Sequence, residues 1–196
     1  AFTHDAFLVL QSKHKTSARV KIPFEQIGGR CEVVCESGLP AVPLLIAIIN
    51  MTALAKGVVP LHASAFVYRG IGVLLTGWSK GGKTEALLAF MSRGAEYLGD
   101  EWIYLASDAK QMYGIPQPIR LWDWHLEQFP EYREQIGRRN RLRLQAIRAA
   151  LAIGRPLTDS GRSPAVLDRI EGLLRRQIYV DIAPDRLFGP CASLKG

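Results

Sequence analysis

The chain is 196 residues long, 48% hydrophobic and 22% charged, a balance that excludes collagen-like, disordered and coiled-coil chains and leaves a globular domain. That length suffices for one domain with a buried core. The formal charge of +7 is concentrated in residues 133–155, where seven arginines stand against Glu134 alone; such a run reads as a solvated helical face, or as a surface for an acidic partner, with nucleic acid ranked last because no nucleic-acid module accompanies it.

In chain order, residues 1–42 are expected to be β-rich, with AFLVLQS, ARVKIPF and CEVVCES as short runs bounded by turn residues. Cys31, Cys35 and Cys191 are too few for a disulfide framework, and the first two lack the further ligands of a zinc site. With an N-terminus that lacks the basic-then-apolar order of a signal peptide, they point to a cytoplasmic location. AVPLLIAIINMTALA contains Pro43 and is shorter than the ~18 residues of a membrane span, so it is expected to form a buried helix from about Pro43 to Lys56, ended by Gly57, and no membrane partner is expected.

Two strands, SAFVYR and GVLLTG, follow around a turn at Gly70, and a helix is expected from Lys83 to Arg93 with Gly94 as its cap. EYLGDEWIYLA reads as one return strand, and GIPQPIRLW as an extended segment. Residues 124–153 are expected to be mostly helical with a break at Gly137, then TDSGRSP as a loop, Pro164 to Leu174 as a helix and RRQIYVDIA as a strand. APDRLFGPCASLKG reads as loop, with a further C-terminal element expected beyond it. The pattern implies a single α/β domain with a mixed sheet: a β-rich part (1–42), a core (58–122) and an Arg-rich helical part (123–175).

The chemistry is concentrated between GVLLTG and the helix after it. Gly77, Gly82, Lys83 and Thr84 match G-x-x-x-x-G-K-[ST] in full. Glycines let backbone N–H groups converge on phosphate oxygens, and the helix N-terminus adds partial positive charge. Gly77, Trp78, Ser79, Lys80, Gly81 and Gly82 would therefore cradle a nucleoside triphosphate, Lys83 would reach its β and γ phosphates, and the Thr84 hydroxyl would take a place on Mg²⁺. Such a site needs a carboxylate at the end of a neighbouring strand, and Asp100 and Asp181 are equal candidates by position. Arg120 could meet a phosphate or a substrate carboxylate. Trp122, Trp124 and Phe129 are spaced to form an apolar cluster, or a substrate platform.

Residues 61–102, LHASAFVYRGIGVLLTGWSKGGKTEALLAFMSRGAEYLGDEW, resemble the catalytic core of HPr kinase/phosphorylase over about a fifth of the chain: a Leu-His pair, a strand, a Gly-x-Gly turn, a strand, the phosphate loop, a helix ending in Arg-Gly, and an acidic pair. The resemblance implies the P-loop fold shared with phosphoenolpyruvate carboxykinase, ATP and Mg²⁺ as cofactors, and phosphoryl transfer to a hydroxyl. By it Asp100 is the base that takes the hydroxyl proton, with His62 and Lys83 beside it, and Thr84, Glu85 and Glu101 serve the metal side. The family's second signature, a Glu-Ile-Arg-Gly-Leu-Gly-like segment, has no counterpart here. HPr as acceptor and the phosphorylase activity are therefore not implied; a protein or peptide serine or a small hydroxyl compound is, and an acidic acceptor would suit the arginines. A homo-oligomer is compatible with all of this, and the rival to a kinase is an NTPase or nucleotide-switched module organised by Asp181.

Overall fold

The computed structural model describes residues 6–11, 17–158 and 165–189. The chain divides into two compact units, one of Ala1–Leu61 with Tyr104–Met112 and one of His62–Ile103 with Tyr113–Gly196.

In the first unit, β1 (Ala6–Gln11), β2 (Ser17–Pro23) and β3 (Val34–Cys35) form an antiparallel sheet in sequence order. The expected third strand shrinks to two residues. Helix α1 (Leu45–Ala55) occupies the predicted place, and its Ile48 packs with Val20 and Ile22 in a small core. The expectation of a buried helix is only partly met, because Leu44, Leu45, Met51 and Leu54 remain exposed.

The second sheet has the order β5-β4-β7-β8, with β6 also pairing with β4. These are β4 (Val58–Tyr68), β5 (Ile71–Thr76), β6 (Glu96–Gly99), β7 (Trp102–Ala106) and β8 (Met112–Gly114). Ala65, Phe66 and Val67 of β4 pair antiparallel with both β5 and β6. Ala63 to Phe66 are buried without alternation, the pattern of a strand covered on both faces. β4 begins six residues earlier than expected, so His62 lies within the strand instead of preceding it.

Between β5 and β6 runs α2 (Lys83–Met91), which buries Leu87, Leu88 and Met91, residues that fall on one face of a 3.6-residue period. It ends at Met91, two residues short of the expected Arg93, with Ser92 as its C-cap; beyond it Gly94, with a φ of 81°, lets the Ala95 N–H reach back to the Phe90 carbonyl (3.1 Å) and the Gly94 N–H to that of Met91 (3.0 Å). Downstream, β9 (Ile119–Trp122) pairs antiparallel with β10 (Tyr179–Ile182). Leu121 and Val180 from this pair join Phe66, Leu88, Tyr97 and Leu126 in the main core. Each fully buried side chain of this kind contributes about 1.5–3 kcal/mol.

The helical part breaks twice where one break was expected. Helix α3 (Asp123–Gln128) stops before Pro130, which opens a 3-10 turn over Pro130–Arg133. Gly137 then precedes α4 (Arg138–Thr158), which runs five residues past its predicted end. Helices α5 (Ala165–Arg175) and α6 (Pro184–Phe188) follow. α6 stands where loop was expected, with Pro184 in its first turn and Leu187 in the core. Most of TDSGRSP, and Cys191, lie outside the described residues. The architecture is thus α/β, with antiparallel sheets and helices. Among the described residues no helix is long and apolar enough to cross a membrane.

Candidate functional site

The turn from β5 into α2 has a backbone that leans on its glycines, although Lys80 also sits at positive φ (64°). Gly77 (φ 155°) and Gly82 (φ 85°) take conformations that side chains disfavour. A Cβ on Gly81 would stand 2.9 Å from the Trp78 carbonyl oxygen, which accepts a hydrogen bond from the Gly81 N–H. Gly82 is the N-cap of α2 and has no side chain to satisfy the first N–H groups, so the positive end of the helix dipole stays uncapped. Lys83 folds back over the loop, its Nζ donating to the carbonyls of Gly77 (3.1 Å) and Trp78 (3.0 Å).

Across from the loop, the expected return strand is interrupted at Asp100 and Glu101. Pairing with β4 slips between Ala65 and Phe66, Glu101 adopts φ 76°, and its carbonyl accepts the Ala63 N–H at 3.2 Å. At the interruption two adjacent carboxylates differ in burial: Asp100 is 6% exposed, whereas the Glu101 side chain is 60% exposed.

Asp100 accepts from Ser64 Oγ on one oxygen and from Thr84 Oγ1 (3.1 Å) on the other. Burial pushes its pKa above the ordinary value; the two hydroxyls oppose that shift and the charge of Glu101 adds to it. His62 and Ser64, two residues apart on β4, share a strand face. His62 Nε2 lies 3.0 Å from Glu101 Oε2, and its ring rests 5.8 Å from that of Trp102.

A further wall comes from β9 and α3. His125, 2% exposed, accepts the Trp122 N–H on Nδ1 (3.1 Å), taking the place of the Glu or Gln in a capping box. Its Nε2 therefore carries the proton of the neutral ring and lies 3.4 Å from Glu85 Oε1, without a hydrogen bond of good geometry. Burial lowers the pKa of His125, and Glu85 opposes the shift.

A pocket of about 680 Å³ joins these groups, within the range of small-molecule sites. It is lined by residues 79–85 of the loop and first helical turn, by His62, Asp100 and Glu101, and by Arg120, Trp122, Trp124 and His125. Gly77 and Trp78 do not line it, and Trp78 is 91% exposed. Asp181 also stands outside the lining, bound to Arg120. Trp122, Trp124 and Phe129 do not cluster: Trp122 meets Tyr179, Trp124 sits against His125 and Phe129 meets Tyr132. Among the described residues, no three or more His, Cys, Asp or Glu side chains are grouped to hold a metal ion by themselves.

Ser64 and His125 were not among the residues singled out by sequence. Ser64 was legible from strand alternation once His62 was placed; His125 carried no such signal, since only the fold brings α3 to the first turn of α2. Comparison of the chain with protein-family models, with curated proteins and with solved structures returns no match.

Proposed function

We propose that the chain is an ATP-dependent, magnesium-requiring kinase of the HPr-kinase-like class, on the P-loop fold shared with phosphoenolpyruvate carboxykinase, transferring the γ phosphate to a hydroxyl. The observation that carries this reading is the contact of Thr84 with Asp100 at the foot of an uncapped helix. A hydroxyl and a carboxylate so joined suit a magnesium ion that keeps most of its ligands from water and phosphate, which explains why no all-protein metal cluster is needed. The loop amides and Lys83 would hold the triphosphate, and Thr84 with Asp100 the metal. ATP with magnesium supplies the activated phosphoryl group; orientation and proton removal fall to the protein.

The two carboxylates divide these tasks. Asp100 has both oxygens engaged by hydroxyls, so its part is to fix Thr84 and the metal side. Glu101, held by His62 and open to the pocket, receives the proton of the acceptor hydroxyl. The reverse assignment, with Asp100 as the base, is favoured by the burial that raises its pKa toward that of a general base. An NTPase organised by Asp181 is disfavoured, because that carboxylate is engaged by Arg120 outside the pocket.

The test is incubation with ATP, magnesium and a mixture of hydroxyl peptides and small alcohols, read by mass spectrometry. A phosphorylated product is expected, lost with Lys83→Ala. Glu101→Gln should lower kcat by about 10²–10⁴ while ATP still binds, and Asp100→Asn should raise the magnesium requirement. If Asp100→Asn alone abolishes transfer at saturating magnesium, Asp100 is the base. Release of ADP and free phosphate with neither carboxylate mattering would overturn the kinase reading.

A further inference from the structure

Arg120 is built into the pocket wall in a manner that no part of the phosphate-binding machinery requires. It lies directly opposite Asp181 in the β9–β10 register. Its Nε donates to Asp181 Oδ1 at 2.8 Å and its Nη2 to Oδ2 at 3.1 Å. The guanidinium also lies over the Tyr179 ring, 4.1 Å from the centroid. Ion pair and ring together fix the plane of the group, and two of its five N–H donors are consumed.

The donors left over belong to Nη1 and the second hydrogen of Nη2. Among the described residues Nη1 has no hydrogen-bond partner. Asp181 is not a lining residue and Arg120 is, so the carboxylate holds the guanidinium from behind and a second planar anion can meet the free edge. Such an arrangement orders a binding group in advance, which lowers the entropic cost of using it.

Its neighbours define what that anion belongs to. Glu101 is close enough to act electrostatically on Arg120. Trp122 and Trp124 line the same pocket, Trp124 being 40% exposed. We propose that Arg120 is a specificity-determining residue for the phosphate acceptor, binding a carboxylate that lies near the hydroxyl presented to Glu101, while the apolar body of the acceptor rests on the two indoles. The proposal rests on the kinase reading above and adds the chemical class of its acceptor: a hydroxyl compound with a neighbouring carboxylate, carried either by a small hydroxy acid or by a peptide.

The experiment measures calorimetric binding of matched probes to the full chain with ADP and magnesium: glycerate against glyceramide, and a serine peptide with an adjacent aspartate against the same peptide with asparagine. In the wild type at least one carboxylate probe should bind about ten-fold more tightly than its amide twin, because an amide leaves a charged donor poorly matched. Whichever pair shows the preference identifies the source of the carboxylate. Arg120→Met should bring the twins together with ADP affinity unchanged, and Asp181→Asn should weaken the preference without removing it. Absence of any preference in protein that binds ADP overturns the proposal, as does a preference that survives Arg120→Met. Loss of ADP affinity in Arg120→Met overturns it too, by assigning the arginine to the phosphates. Failure of the wild type to bind ADP or ATP at all would instead remove the kinase reading.

Discussion

Asp100 is a carboxylate whose burial costs free energy and whose partners return part of it. Its folded pKa lies above the ordinary 3.8, so ionisation disfavours the folded state as pH rises through that folded value. Asp100→Asn keeps an acceptor for the hydroxyls and removes the charge; its urea midpoint at pH 8 should equal or exceed that of the wild type, even as its magnesium requirement rises. Asp100→Ala orphans the buried Ser64 hydroxyl and should cost about 1–3 kcal/mol in the same assay. His125 has the opposite sign of linkage. Its folded pKa lies below the ordinary 6.5, so the unfolded chain takes up a proton that the folded ring refuses. The stability it contributes is complete above pH 6.5 and is lost as pH falls through the folded value. Urea midpoints at pH 7.5 and 5.5 should therefore differ more in the wild type than in His125→Gln. The loop glycines, Lys83 and Thr84 were legible because eight contiguous residues encode them, whereas the partners of Asp100 and His125 lie on other elements.

The elements around the site are held by close backbone approach. A Cβ on Gly114 would fall 1.8 Å from the Leu98 carbonyl oxygen, and one on Gly99 would meet Ile103 at 2.5 Å. Gly114 thus lets β8 pass against the strand whose next residue is Asp100. Gly114→Ala should destabilise by about 3 kcal/mol or more, since backbone and not a flexible side chain must move; thermal melts followed by circular dichroism will show it, and a shift of only a degree or two would refute the close approach. Helix α2, its glycine stop and the α/β class were readable from periodicity and turn chemistry. The interruption at Asp100 and Glu101 was not, because EYLGDEWIYLA has the composition of one continuous strand and the slip is forced by pairing with β4.

Across the molecule, the arginines divide into two groups. Arg148 bridges Asp123 (2.5 Å) and Glu127 (2.9 Å), Arg143 donates to the Tyr179 carbonyl, and Arg133 to that of Leu126. These tie α4 and its neighbours together. Arg138, Arg139 and Arg141 are exposed and, among the described residues, have no ion pair or side-chain hydrogen bond. Changing all three to Glu should raise KM for an acidic acceptor and flatten its dependence on salt, because screening acts on such exposed charges, while ATP affinity stays constant. An unchanged KM and salt slope would make this a solvated face.

The sequence by itself determined the phosphate-loop pattern, the helix that follows it and the predominance of strands before it, since each depends on residues within a turn or two of one another. Tertiary structure alone decided that Ser64 meets Asp100 across 36 positions, His62 meets Glu101 across 39 and Arg120 meets Asp181 across 61. Such contacts depend on strand register and on which segments are buried together, and both are set by the packing of the folded unit as a whole, not by any local run of residues.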